Sequence, residues 1–370
     1  MKILYDHQTF TGSLYGGVSR YFCDLMHSFS QRNDVSFELS LLFSNNEYLK
    51  DVPYIKPTPY SFLSNYLTAN QIASFLNREY SNHKIKQGHF DILHPTYYHP
   101  YFLKNSTNKP VVITFHDALS EKFGTVYPDL GQHLTQRKKQ CLAHADAVIA
   151  ISEATKREIL QYFDIDESKI TVIPHGNPFS ETAIAHYVPQ LQLPERYVLY
   201  VGNRKLYKNF DLFIVAMLPI LRKDNGLKIV CASSEKFDKA ENELFQKYNI
   251  TDKVEQIPIK NDGTLIELYK RARLFVYPSL MEGFGLPILE AMSCGCPIVA
   301  SNGTSFNEIA EDAAVYFDAT NLESMSYGIE SVLFDEEKTT QMSRKGIEKA
   351  AHFTLQKTAE ATLNLYLSLI

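Results

Sequence analysis

The chain lacks the signatures that would tie it to nucleic acid, to a membrane span or to an oxidising compartment. There is no basic excess: 37 Lys and Arg stand against 42 Asp and Glu, a formal charge of −5 at pH 7. A nucleic-acid binder normally carries a basic balance or stripe. A small anionic ligand stays open, because a few local cations suffice to hold one. No apolar run approaches the ~20 residues of a membrane span; the best window, LFIVAMLPIL, is ten residues long and contains Pro219. The opening MKILYDHQTF has one early lysine and a short strand-like run, which predicts no secretory leader. Cysteine is scarce: Cys23, Cys141, Cys231, Cys294 and Cys296 are odd in number and scattered. The CGC of 294–296 lacks the CxxC spacing of a zinc or redox site. Buried, reduced thiols in a cytosolic protein are the expectation. His94 and His99, in HPTYYHP, have no carboxylate or Cys at ligand spacing, so no metal site is expected. No repeat or low-complexity tract is evident.

What is present is a long alternation. The 370 residues, 45% hydrophobic, suggest roughly two domains of ~150 residues, each large enough for its own core. Short β-rich runs (KILYD, DILHP, VVITFHD, DAVIAIS, KITVIP) are separated by helical stretches. A second series follows: YVLYVG, LKIVCA, KVEQIPI, RLFVYPS and PIVAS. This is the pattern of parallel sheets with crossover helices. Strands that are apolar throughout, such as VVITF and YVLYV, should be covered on both faces. Between the series, residues 181–196 carry Pro189 and Pro194 and little periodicity, and read as a linker between two doubly wound domains. The segment from Tyr54 to Lys86 is rich in Tyr and Phe and carries Lys56, Arg78, Lys84 and Lys86. It reads as a solvated helical insertion or as an acceptor-binding or membrane-facing surface.

Four constellations carry chemistry. In LMEGFGLPILEAMSCGCPIVAS, a strand should end before Glu282 and a helix begin near Pro287. Ligands of open α/β sheets bind at that carboxyl edge. The amides of Phe284, Gly285 and Leu286 are candidates to hold an anion or hydroxyls at a helix start. Carboxylates accept without donating, which suits vicinal diols. Glu282 in the loop and Glu290 in the helix cannot share one small group, but they suit the two ends of a long ligand such as a nucleotide sugar. Both also favour a helix N-terminus electrostatically. In YVGNRKLYKNF a strand ends at Gly202. Arg204 and Lys208 follow as candidate phosphate ligands, Lys205 is read as solvated, and Asn209 is a candidate helix cap. In SLYGGVSRYFCDL, Gly16 and Gly17 precede a helix, a weaker phosphate-facing signal. In VVITFHDALS, His116 ends an apolar strand at the same kind of edge.

Taken together, GGVSRYF, TFHD, ISEATKREI, VIPHGN, YVGNRKLYKN and EGFGLPILEAMSCGCPIVAS resemble, in this order and across most of the chain, the retaining glycosyltransferases of family 4. The last is similar to the family's E-x7-E element and is the most specific. The resemblance implies a GT-B fold: α/β, with two Rossmann-like doubly wound domains facing across a cleft. Residues 1–185 would form the acceptor-side domain, joined by a helix at 354–370 that crosses back. Residues 195–353 would bind the nucleotide-sugar donor. Glu290 matches the ribose-binding glutamate and Glu282 the one near the donor sugar. Arg204 and Lys208 match the diphosphate pair, Gly16 and Gly17 the N-terminal phosphate loop, and His116 the histidine near the sugar. His175, in VIPHGN, stands where many relatives carry Asn, and the Arg–Lys loop is shorter than in several.

The expected activity is transfer of a hexosyl unit, with a lean to mannose, from a nucleotide diphosphate sugar to a glycan or lipid-linked hydroxyl. It would proceed with retention, without metal or other cofactor, in surface polysaccharide assembly. His116, Glu282, Arg204 and Lys208 would serve the reaction. The location would be cytoplasmic, with peripheral contact at the inner face of a membrane left open. A non-catalytic nucleotide-sugar or glycan-binding protein of the same fold is the alternative. A dinucleotide oxidoreductase is disfavoured, because no GxGxxG opens a helix with an acidic residue ~20 positions on.

Overall fold

A computed structural model describes all residues except 13, 53, 54, 61–66, 106, 107, 128–131, 205 and 304. Lys205 and part of the Tyr54–Lys86 segment therefore lie outside the described residues. The chain forms two compact units, Met1–Gly176 with Leu355–Ile370, and Asn177–Thr354.

In the first unit, β1 (Lys2–Tyr5) pairs in parallel with β2 (Ser36–Leu39) and β3 (Ile92–His94). A second parallel sheet holds β4 (Val112–Phe115), β5 (Ala147–Ala150) and β6 (Ile170–Val172). A Leu93–Val111 bridge links β3 to the segment leading into β4. Every residue of β4 and β5 is buried, as continuous apolar runs between helix layers require. The helix Gly17–Ser30 sends Phe22, Met26 and Phe29 into the core with Tyr5. The helix Leu355–Leu367 joins the same core through Ala359, Leu363 and Tyr366. The Tyr366 hydroxyl bonds His94 Nδ1 at 2.5 Å and lies 3.3 Å from the Tyr5 hydroxyl. His94 Nε2 meets Thr114 Oγ1 at 2.9 Å, so both ring nitrogens have partners inside the core.

The second unit holds β7 (Tyr197–Val201), β8 (Lys228–Ala232), β9 (Val254–Ile257), β10 (Leu274–Tyr277), β11 (Ile298–Ser301) and β12 (Ala314–Phe317). Their order is β12-β11-β10-β7-β8-β9, and every pairing is parallel. The chain leaves β7 toward one edge and resumes at β10 toward the other, so a topological switch point lies between β7 and β10. Helix Phe210–Lys223 covers the sheet with Phe210, Phe213, Ile214, Met217 and Ile220, and keeps Pro219 within it. Residues 181–196 are not a free linker. Glu181–Ala185 is a short helix, and the Gln190 and Leu191 amides donate to the Glu267 carboxylate at 2.8 and 3.2 Å. Arg271 also donates to the Leu191 carbonyl at 3.2 Å. None of the five cysteines is in a disulfide and all are buried.

Candidate functional site

The switch point of the second unit gathers the residues of two of the motifs. After β7 come Gly202, Arg204 and a 3-10 turn, Leu206–Lys208. After β10 comes the loop with Glu282, then the helix Leu286–Ser293. The Leu280 amide donates to the Tyr207 carbonyl at 2.7 Å, which fastens one loop to the other. Lys208, 9% exposed, places Nζ 2.5 Å from Glu282 Oε1 and 3.4 Å from the Tyr277 hydroxyl. The rings of Tyr207 and Tyr277 lie 5.2 and 5.4 Å from that ammonium, within cation–π reach. Burial, then Glu282, pushes the Tyr277 phenol well above its usual range, so it stays a hydrogen-bonding hydroxyl.

The helix start is shaped by Gly285. Its φ of +104° is left-handed, and a Cβ there would sit 2.7 Å from Phe306 Cε1. Both facts exclude a side chain. Pro287 stands in the first turn, where its missing N–H costs nothing. Ser305 Oγ donates to the Glu282 and Phe284 carbonyls at 3.2 and 2.6 Å and fixes the loop. Glu290, 6% exposed among Ile288, Leu289, Ala291 and Met292, accepts from the Tyr269 hydroxyl at 3.0 Å. Burial, then Glu290, raises the Tyr269 phenol well above its usual range.

Arg204 departs from its expected pairing with Lys208. Its Nε meets Glu241 Oε1 at 2.6 Å, and its Nη2 donates to the Glu235 and Lys236 carbonyls at 3.1 and 2.9 Å. The guanidinium lies 4.9 Å from the Phe237 ring. Only Nη1, buried and without a hydrogen-bond partner among the described residues, remains to donate. Glu241 is invisible as an arginine partner in the sequence. Its signal there is Asp238-x-x-Glu241, a capping box that the structure also contains. Asn209 occupies the cap position at φ +58° but makes no side-chain cap bond. Its amide instead donates to the Pro278 and Ala319 carbonyls at 3.2 and 2.7 Å, tying the Lys208 turn to the segments after β10 and β12.

In the first unit, Gly16 caps and Gly17 begins the helix Gly17–Ser30. A Cβ on Gly17 would meet nothing within 4 Å, so the space beside it is open for close approach to the backbone. His116 follows β4, its amide donating to the Tyr98 hydroxyl at 2.7 Å. Burial, then Lys138, lowers its pKa to about 3, so the ring is neutral near pH 7. Its Nε2 is buried with no partner among the described residues. His175 lies parallel to it at 6.4 Å, and the Tyr21 ring meets both edge-on. The sequence did not assign His175; its signal was only its place in VIPHGN. Lys138 was also missed. Fully buried, it donates to the Asp117 carbonyl, Ser120 Oγ and Glu121 Oε2 at 2.8, 3.0 and 2.9 Å, and so clamps the loop after His116. A groove of about 410 Å³ runs along β2, lined by Phe37, Ile55, Lys56 and Tyr80 among others; it draws on the Tyr54–Lys86 segment and on none of the candidate donor-site residues.

Comparison with known proteins gives this geometry its context. Residues 185–349 match the family model for glycosyl transferases group 1, and residues 15–178 match that for glycosyltransferase family 4. The chain is 26% identical to an O-antigen chain mannosyltransferase B of Escherichia coli over 99% of both chains. Among solved structures it resembles a sucrose-phosphate synthase of Thermosynechococcus elongatus, with TM-score 0.77, 19% identity, and 100% and 98% of the two chains covered. It also resembles the Anabaena HepE protein in complex with UDP and glucose, with TM-score 0.74, 17% identity, and 100% and 99% covered. The order β12-β11-β10-β7-β8-β9, the E-x7-E helix at its switch point and the two matches along the chain lead to one assignment: this protein belongs to the family 4 glycosyltransferases and has the GT-B fold.

Proposed function

We propose that this glycosyltransferase moves a hexosyl unit, mannose first among candidates, from a nucleotide diphosphate sugar to a hydroxyl of a glycan or lipid-linked acceptor. The setting is surface polysaccharide assembly, on the cytoplasmic side where nucleotide sugars are made, and the anomeric configuration is retained. One observation carries the reading: Lys208 and Glu282 meet at the β7–β10 switch point, beside the helix that buries Glu290. The full-length similarity to an O-antigen chain mannosyltransferase supports the sugar and the setting.

Negative charge grows on the diphosphate as the glycosidic bond breaks. Lys208 offers a cation to that charge, and the amides of Phe284, Gly285 and Leu286 add dipoles at a helix start. Arg204 contributes through Nη1 or after leaving Glu241. Glu290 accepts from the ribose hydroxyls and Glu282 from the donor sugar. Gly16, Gly17 and Gly202 let backbone approach the donor closely. Neutral His116 gives a hydrogen bond near the sugar rather than a covalent bond or an imidazolium charge. The acceptor attacks from the face the leaving group departs, and its proton passes to a phosphate oxygen. Cationic side chains and amides supply the stabilisation that a metal gives elsewhere.

A panel of GDP-, UDP- and ADP-sugars tests this. Thermal-shift screening of the nucleotides should select one base. The matching sugar should then be transferred or slowly hydrolysed, with the product anomer read by NMR. No turnover across the panel, or an inverted product, would overturn the reading.

A further inference from the structure

The proposed reaction gives Glu290 a task that its side chain cannot perform alone. Two neighbouring ribose hydroxyls are best held by a carboxylate whose plane is fixed. The last torsion of a glutamate is broad and roughly two-fold, so that plane has to be set by a partner. The Tyr269 hydroxyl is such a partner and donates to Glu290 Oε2 at 3.0 Å. A carboxylate has about four acceptor sites, and this bond uses one of them.

Tyr269 is itself held from several sides. It lies near the end of the helix Asp262–Arg271 and is fully buried. That helix begins on a cap, Asn261 Oδ1 accepting from the Thr264 amide at 3.0 Å. Its Leu268 carbonyl accepts from the Tyr197 hydroxyl of β7 at 2.7 Å. The Tyr269 ring meets Phe275 of β10 edge-on, with centres 5.4 Å apart and planes at 88°. The Phe179 ring lies 6.4 Å away, centre to centre. Glu267 and Arg271, on the same helix, bind the backbone of residues 190 and 191. A ring so packed delivers its hydroxyl to one place. Burial keeps the phenol protonated, and hence a donor. A side chain that only filled the core could as well be phenylalanine. Here the buried hydroxyl reaches the second acid of the E-x7-E element from a different helix, 21 positions away. Accurate ligand geometry depends on supporting side chains locked in this way.

We propose that Tyr269 is a positioning residue, whose hydroxyl fixes the plane of the Glu290 carboxylate for recognition of the ribose diol of the donor nucleotide. This role rests on the ribose reading of Glu290, and the test separates the two. GDP, UDP and ADP are titrated calorimetrically beside their 2′,3′-dideoxy counterparts, and the base that binds is used throughout. Wild-type protein should bind the ribonucleotide about tenfold or more tightly than the dideoxy form, the range of charge-assisted bonds. Tyr269→Phe should weaken the ribonucleotide by about three- to tenfold. It should leave the dideoxy form as it was, so that the preference narrows; unchanged dideoxy binding also reports a folded variant. In turnover the same variant should raise the donor KM and spare kcat, as a loss of uniform binding does. Glu290→Ala should abolish the preference. If Tyr269→Phe keeps the wild-type preference while Glu290→Ala loses it, the role of Tyr269 is overturned and the ribose reading stands. An equal loss for both nucleotides in Tyr269→Phe would reduce the phenol to packing and overturn it as well. A wild-type protein with no ribose preference would remove the ribose reading, and the role of Tyr269 with it.

Discussion

Lys208 holds its ammonium between a carboxylate and two tyrosine rings. In the proposed reaction this cation is shared with Glu282 until a donor phosphate arrives. Lys208→Ala should slow turnover by ~1.5–3 kcal/mol of barrier, the range of one charge-assisted contact. Steady-state kinetics at saturating donor would show it, and wild-type turnover would remove Lys208 from the reaction. Glu290→Ala should weaken nucleotide binding by calorimetry, and unchanged affinity would count against ribose recognition. The buried histidines make a separate prediction. His94, His116 and His175 all fall from an ordinary value of 6.5 to about 3 through burial. The unfolded chain binds protons below pH 6.5 where the folded one does not. Stability is thus complete above that value and declines as pH falls toward 3, by up to ~1.4 kcal/mol per pH unit for each ring. Urea unfolding from pH 7 to pH 4 should follow that slope, and His116→Gln should flatten it.

Among the elements, what the sequence revealed follows the continuity of its apolar runs. The ten strands read from apolar runs are present, and several are buried on both faces. The two that were missed, SFEL of β2 and AVYF of β12, both lie at sheet edges and are only partly buried. An edge strand has a wet side, so its run is broken and its signal fades. The helix Leu67–Gln87 is blurred for a different reason: two of its buried positions are Asn77 and Ser81, polar residues that composition assigns to solvent. The switch-point loops were legible because Gly285, Pro287 and the two glutamates mark a strand-to-helix turn. Arg204 was legible as a cation, but its choice of Glu241 depends on a contact 37 positions away that no local pattern encodes. Helix Leu355–Leu367 owes its place to similar long-range bonds. Tyr366→Phe removes the hydroxyl shared with His94 and Tyr5 and should cost about 1–2 kcal/mol in urea unfolding. A loss near zero would show that packing alone holds that helix.

Over the whole molecule, the division into two units sets what each can contribute. Lys208, Glu282 and Glu290, proposed to hold the donor, belong to one, and Gly16, Gly17 and His116 to the other. No helix among the described residues is long and apolar enough to cross a membrane. Full activity is expected to survive EDTA, because cations and helix amides are assigned the charge that a divalent ion would otherwise carry. Activity lost to the chelator and restored by added metal would remove that assignment. The helix Leu355–Leu367 has a further consequence, for synthesis. Tyr366, Leu363 and Ala359 fill the core beside β1, yet the ribosome makes them after all of residues 177–354. Vectorial folding, in which an amino-terminal domain settles before the next emerges, is denied to this chain. Its first half must wait, with one wall of its interior open, while its second half is completed.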